Sequence, residues 1–211
     1  MDAANLRREY TRAGLDEAGM DPDPIVQFNA WFEKVVEANL HEPNAMILAT
    51  ATIEGRPSVR TVLLKGYDER GFVFYTNYEG RKASELEANP ACALLFYWGE
   101  LERQVRIEGR ASRLPGAESD AYFASRPRGS RLGGWASEQS RPVEDRSVLE
   151  QRLKALEAEY EDREILRPHF WGGYRVEPHT IEFWQGRENR LHDRISYRRE
   201  NGAWRLERLQ P

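Results

Sequence analysis

The 211-residue chain has a single cysteine, Cys92, and one thiol cannot close an internal disulfide. Cys92 sits in Ala91-Cys92-Ala93-Leu94-Leu95-Phe96, where a buried, inert thiol is expected rather than a nucleophile. No apolar run approaches the roughly 18 residues of a membrane span, and Met1 to Tyr10 carry no apolar signal stretch. A reducing, cytoplasmic compartment is therefore expected, with no membrane partner. The four histidines, His41, His169, His179 and His192, are scattered, and there is no CxxC or HExxH spacing, so no metal centre is expected. GxSxG, GxGxxG and P-loop motifs are all absent. The net charge of -4 supplies no global basic field, so nucleic acid is not an expected partner.

What the chain does have is enough length for one domain with a real core, and many flat side chains: six tryptophans and nine tyrosines. Residues 1–20 are polar and mixed and are expected to form a mobile arm or lid; residues 21–211 are expected to form a single domain. Asp23-Pro24 gives a cap followed by proline at the first helical position, and apolar residues at helical spacing continue to Leu40. Strands are predicted over 45–52, 58–65 and 72–75, then a short helix over 78–88, then strands over 91–98 and 103–112. A helix is expected over 115–125, a basic loop over 125–131 and a helix over 148–161. Four strands close the chain, near 173–176, 180–184, 194–199 and 204–209. Strands that do not alternate with long helices argue against a doubly wound nucleotide fold. The order predicts a mainly β fold with peripheral helices, built as a closed or nearly closed antiparallel barrel.

Cationic clusters mark the candidate site. Arg60-Thr61-Val62-Leu63-Leu64-Lys65 has a cation at each end of a strand. Tyr75-Thr76 ends a strand just before Arg81-Lys82 open a helix, where cations oppose the helix dipole unless an anion is bound. Gln104 lies in an alternating strand and can both donate and accept hydrogen bonds. Tyr122 and Arg126 are four apart, with Ser130 following in the loop; a phenol, a guanidinium and a hydroxyl suit a phosphate. In Arg190-Leu191-His192-Asp193-Arg194, an extended backbone would turn all three ionisable side chains to one face. Like-charge repulsion there would keep His192 neutral near pH 7.

These segments, in this order and spacing, resemble the pyridoxine/pyridoxamine 5'-phosphate oxidase family over nearly the whole chain. The match runs from Arg7-Arg8-Glu9-Tyr10-Thr11 through Phe74-Tyr75-Thr76-Asn77, Leu101-Glu102-Arg103-Gln104-Val105, Ser125-Arg126-Pro127, Gln139-Ser140 and Phe170-Trp171-Gly172-Gly173. It ends through Ile181-Glu182-Phe183-Trp184-Gln185-Gly186 and Arg190 to Arg194. The resemblance implies an FMN-binding split barrel, a homodimer with FMN sites at the subunit interface, and oxidation of pyridoxamine and pyridoxine 5'-phosphates by O2. It implies FMN contacts from Arg60, Thr61, Val62, Leu63, Leu64, Lys65, Tyr75, Thr76, Arg81, Lys82 and Gln104. Gln139, Ser140, Trp184 and Arg194 are expected to reach the flavin across the interface. Lys65, Tyr122, Arg126 and Ser130 would hold the substrate phosphate, Arg190 and His192 would lie over its ring as the catalytic pair, and Arg7 and Tyr10 would close over it. A noncatalytic pyridoxal phosphate carrier and another flavin-binding split-barrel protein are the alternative readings.

Overall fold

The computed structural model describes residues 9–11 and 14–211. Its centre is a curled antiparallel sheet of nine strands: β1 Ala45–Ala51, β2 Pro57–Leu63, β3 Gly66–Asp68, β4 Gly71–Asn77, β5 Ala91–Trp98, β6 Arg103–Arg113, β7 Trp171–Gln185, β8 Asp193–Glu200 and β9 Ala203–Leu209. The neighbours run β2-β1-β5-β6-β7-β4-β3, and β8 and β9 extend the sheet from β7. The chain passes directly from β2 to β3, and the Lys65 amide bonds the Val73 carbonyl of β4. That link brings the two ends of the path together, so the sheet curls into a barrel with β8 and β9 splayed off one side. It is the expected mainly β fold with peripheral helices.

Five helices surround the sheet: α1 Pro24–Glu37, α2 Arg81–Ala88, α3 Gly116–Ser125, α4 Arg128–Ala136 and α5 Arg146–Glu159. α1 begins where Asp23 Oδ1 accepts the Ile25 N–H at 2.8 Å, with Pro24 in the first turn. Its apolar stripe puts Phe28 against the rings of Tyr67, Phe72, Phe96 and Trp98, and Trp31 against Phe183. Phe28, Phe72, Phe96 and Phe183 are fully buried, so this aromatic contact is the centre of the main core. A second cluster of Phe123, Leu132, Ile165 and Trp171 joins α3 and α4 to the start of β7. The stripe on α5 packs Leu153, Leu156 and Tyr160 against that second cluster.

Three elements differ from the sequence expectation. The strand pairs predicted near 173–176 and 180–184 are one strand, β7, running through Pro178. Proline has no N–H for the ladder, and the register accommodates it with a bulge between Glu108 and Gly109 of β6. Glu108 faces Thr180 and Gly109 faces Pro178, so His179 is the extra residue. A Cβ on Gly109 would lie 2.3 Å from the Glu177 carbonyl oxygen, which is why glycine stands there. The three-residue β3 was not expected at all, and the basic loop over 125–131 is largely helical, because α4 starts at Arg128 with Pro127 at its cap. Glycines 129, 133 and 134 weaken helix propensity in α4, but buried Leu132 and Ala136 anchor it.

Candidate active site

A cavity of about 520 Å³ opens between β2, β4 and the helices α2 to α4. β2 contributes Arg60, Thr61, Val62 and Leu63, with Lys65 just beyond its end. β4 contributes Tyr75 and Thr76, α2 contributes Lys82, and Tyr122, Arg126 and Ser130 come from α3 and its junction with α4. Gln139 and Trp171 complete the wall. Tyr75 stacks on Tyr122 with ring centroids 3.9 Å apart and on Trp171 at 5.5 Å, so one side of the cavity is a flat aromatic wall.

Two cations of the cavity, Lys82 and Arg126, have no carboxylate partner among the described residues. Lys82 is buried (9% exposed), and among the described residues its Nζ donates to Thr76 Oγ1 at 3.0 Å and Gln139 Oε1 at 2.5 Å. Burial, and secondarily the nearby Arg60, pull the Lys82 ammonium down to about 8. Arg126 lies over the Trp171 ring at 4.6 Å, and its buried Nη1 has no hydrogen-bond partner. Burial lowers its pKa as well. A buried, unsatisfied guanidinium is costly, and an anion in the cavity would satisfy it.

Two other arginines are held by one carboxylate. Glu85 of α2 is buried, and its carboxylate accepts from Thr50 at 2.5 Å, Ser58 at 2.6 Å, Arg60 at 3.2 Å and Arg81 at 2.8 Å. Burial alone would raise the Glu85 pKa, but the bonds from Ser58, Thr50, Arg81 and Arg60 outweigh it and hold the carboxyl at about 2. Arg60 also bonds the Leu48 carbonyl, Thr50 and Ser58, which fixes its plane at the cavity edge. Glu85 was not singled out in the sequence, although its place four residues after Arg81 on a helix was a usable signal.

A second group gathers at the far end of β7 and the start of β8. Gln104, Trp184 and Arg194 are register partners across β6, β7 and β8, so they share one face of the sheet. The Trp184 ring lies 4.7 Å from His192 and 5.7 Å from Tyr10, and Tyr10 is 5.6 Å from His192. His192 Nδ1 accepts the Arg187 N–H at 3.1 Å, which leaves the proton of the neutral ring on Nε2. Burial, then the charge of Arg190, lowers the His192 pKa. Arg190 is exposed and has φ of +63°, beside Asn189 at +55°, a left-handed pair that non-glycine residues rarely adopt. The first cavity contains none of these residues.

Several site expectations need correction. Residues 190–194 are not one extended run: 188–190 form a tight turn and the strand begins at Asp193, so Arg190, His192 and Arg194 do not share a face by alternation. Arg194 is paired through two bonds of 3.0 Å to the buried Glu182, so its charge is already compensated. Leu64 is buried in the main core and does not line the cavity. Gln139 and Ser140 were expected from across an interface, yet within this chain Gln139 meets Lys82 and Thr76, and Ser140 Oγ accepts the Arg81 N–H at 3.2 Å. Ser130 belongs to α4 rather than to a loop, and Arg126 lies past the end of α3 in extended backbone. Trp171 was quoted only as part of a motif; its ring proves to be the floor under Arg126. Arg7 lies outside the described residues.

Two family descriptions cover most of the chain: pyridoxamine 5'-phosphate oxidase over residues 32–160, and the pyridoxine 5'-phosphate oxidase C-terminal dimerisation region over residues 171–211. The chain belongs to the pyridoxine/pyridoxamine 5'-phosphate oxidase family. Among its relatives, the pyridoxine/pyridoxamine 5'-phosphate oxidase of Rubrobacter xylanophilus is 70% identical over 210 residues, spanning 100% of this chain and 97% of that protein. The protein of the same name from a Cyanothece species is 58% identical over 208 residues, spanning 99% of this chain and 98% of that protein. Among solved structures, PhzG from Burkholderia lata, in complex with tetrahydrophenazine-1-carboxylic acid, superposes with a TM-score of 0.90 at 33% identity, covering 97% of this chain and 100% of that one. A pyridoxamine 5'-phosphate oxidase-related, FMN-binding protein from Nostoc punctiforme shares the fold at TM-score 0.71 and 18% identity, over 91% of this chain and all of that one. The barrel described above is therefore the split barrel of this family. No helix among the described residues is long and apolar enough to cross a membrane.

Proposed function

We propose that the chain oxidises pyridoxamine 5'-phosphate and pyridoxine 5'-phosphate to pyridoxal 5'-phosphate, as an FMN-dependent oxidoreductase with O2 as the final acceptor. The observation that carries this reading is the cavity, walled by stacked aromatic rings, in which the buried Lys82 and the half-buried Arg126 have no carboxylate partner among the described residues. Two anionic phosphates, one on the flavin and one on the substrate, match two sets of cations, in which Lys82 and Arg126 have no carboxylate partner among the described residues while Arg60 and Arg81 share Glu85. Lys82, Arg81 and Arg60 fit the FMN side, with Gln139 and Ser140 beside them. Lys65, Tyr122, Arg126 and Ser130 fit the substrate phosphate. FMN held by these residues would supply the redox chemistry, taking a hydride equivalent from the substrate's C4' carbon and handing the electrons to dioxygen as hydrogen peroxide, while water would release the amine nitrogen as ammonia.

The protein's own work is positioning and charge. Arg126 and its neighbours fix the substrate by its phosphate, and the Tyr75, Tyr122 and Trp171 wall excludes water from one side. Arg190 brings an exposed charge on a strained turn, which suits orientation over the substrate ring and stabilisation of charge there. His192, neutral with its proton on Nε2, can donate a hydrogen bond or exchange a proton at that atom. Tyr10 covers His192 and Trp184 from the arm.

A second copy of the chain brings the two groups together. The register places Thr61, Ile47 and Leu95 side by side on one face, and the same face carries Tyr97, Gln104, Trp184 and Arg194. Ile47, Val59 and Tyr97 are exposed there, at 38%, 67% and 58%. This apolar face lies between the cavity residue Thr61 and the Trp184 group. Packing it against its own copy would set the Trp184, Arg190 and His192 group of one protomer at the cavity of the other. The dimerisation region at 171–211 contains that second group.

The reading is tested by adding pyridoxamine 5'-phosphate anaerobically to the FMN-loaded protein. Loss of flavin absorbance near ~450 nm is the expected result. An unchanged spectrum at saturating substrate would refute the oxidase assignment. Reduction by tetrahydrophenazine-1-carboxylic acid but not by the phosphorylated amine would move the substrate to the compound bound in the PhzG structure.

A further inference from the structure

One group of charges is not used by the reaction and is unusually well connected. Arg208, in β9, donates Nε and Nη2 to the two oxygens of Glu17 at 2.7 and 2.6 Å. Its Nη1 donates to Asp193 Oδ1 at 2.7 Å, and Nη2 also reaches the Leu15 carbonyl at 2.9 Å. The other Asp193 oxygen, Oδ2, accepts the Leu15 N–H at 2.9 Å. Both backbone polar groups of Leu15 are thus gripped, one by a carboxylate and one by a guanidinium, and those two side chains grip each other. The Leu15 side chain packs at the edge of the main core. Asp193 follows His192 directly in sequence, and Tyr10, five residues before Leu15, lies with its ring on His192 and Trp184. The fit extends to Gly186, where a Cβ would come within 2.7 Å of the Tyr10 ring.

We propose that Asp193, Arg208 and Glu17 are positioning residues for substrate binding: they clamp the chain at Leu15 so that Tyr10 is held on His192. The inference rests on the reading that Tyr10 and His192 face the substrate. An arm tethered this way enters the substrate complex with part of its ordering entropy already lost, so binding gains what a free arm would spend. The Arg208 bond holds the Glu17 carboxyl at about 2, so the clamp stays charged throughout the pH range of an enzyme assay.

The test uses the FMN-loaded dimer and pyridoxamine 5'-phosphate. Glu17→Gln and Arg208→Gln are each expected to raise KM roughly three- to tenfold, with kcat and the FMN dissociation constant within about twofold of the parent. Tyr10→Ala is expected to raise KM as well, and Glu17→Gln added to Tyr10→Ala should have no further effect, because the clamp acts through Tyr10. A merely structural ion pair would instead give the same loss on either background. Unchanged KM in Glu17→Gln, with Tyr10→Ala impaired, overturns the clamp alone. Unchanged KM in Tyr10→Ala overturns the assignment of Tyr10 to the substrate and the clamp with it. Should Arg208→Gln fail to fold, Glu17→Gln decides the matter, since Glu17 lies at the surface and its loss leaves Asp193 and Arg208 paired.

Discussion

Replacing Glu85 by glutamine tests whether one buried carboxylate organises the cation-rich cavity. The Glu85 side chain is only 6% exposed and takes four hydrogen bonds, two of them from Arg60 and Arg81. A carboxyl held at about 2 instead of 4.5 corresponds to roughly 3 kcal/mol of folding stability at neutral pH. Most of that belongs to Ser58 and Thr50, with Arg60 behind them, because Arg81 is 63% exposed and its bond is screened by solvent. The sign follows from the depressed value: the contribution is complete above the unfolded carboxyl's pKa and disappears as pH falls through about 2. Urea unfolding of apoprotein and Glu85→Gln at one protein concentration should therefore differ by roughly 3 kcal/mol at pH 7 and by less than half of that at about pH 3. FMN should also bind more weakly to the variant, because Arg60 loses its counter-charge and its fixed plane. A stability difference under about 1 kcal/mol at pH 7, or one that stays constant down to about pH 3, would refute the reasoning.

Arg126→Met removes a half-buried guanidinium whose buried Nη1 has no partner while keeping a side chain on Trp171, so stability should be equal or higher while KM for pyridoxamine 5'-phosphate rises roughly 30-fold or more; thermal melts and steady-state kinetics check both. With Lys82 at about 8 in the apoprotein, FMN affinity measured by flavin fluorescence should fall as pH rises above about 8, and Lys82→Met should flatten that profile. Gly109→Ala should destabilise the fold by roughly 2 kcal/mol or more in urea unfolding, because the new Cβ meets the Glu177 carbonyl across the bulge.

Much of the fold was legible in local sequence because local physics decides it. Asp23-Pro24 caps α1 in sequence and in structure, and the 91–98 strand forms with the predicted bounds. The misses are places where distant contacts overrule local signals. Pro178 reads as a strand break, and only the bulge opposite it at Gly109 allows β7 to continue. Residues 125–131 read as a basic loop, and burial of Leu132 against Phe123 and Trp171 makes the chain helical from Arg128. The first half of the site was legible for its charge pattern: Lys82 and Arg126 do meet in one cavity without counter-charge. The Glu182 partner that compensates Arg194 lies twelve residues back on a neighbouring strand, and a chain read linearly does not pair them. The placement of Gln139 and Ser140 depends on how the segment after α4 returns to α2, which no spacing rule encodes.

The central claim is that each active site combines the cavity of one protomer with the Arg190 group of the other. It is tested by mixing Arg126→Ala and Arg190→Ala through co-expression or refolding together, and assaying at pyridoxamine 5'-phosphate far below KM, where each parent alone is nearly inactive. In a mixed dimer, one site takes Arg126 from one chain and Arg190 from the other, and is intact; the second site carries both lesions. With random assortment, half the dimers are mixed and each has one working site. Activity per active-site flavin should return to about a quarter of wild type. If both groups acted within one chain, each variant would stay as impaired in a mixed dimer as alone, and a mixture no more active than its two parents would contradict the account.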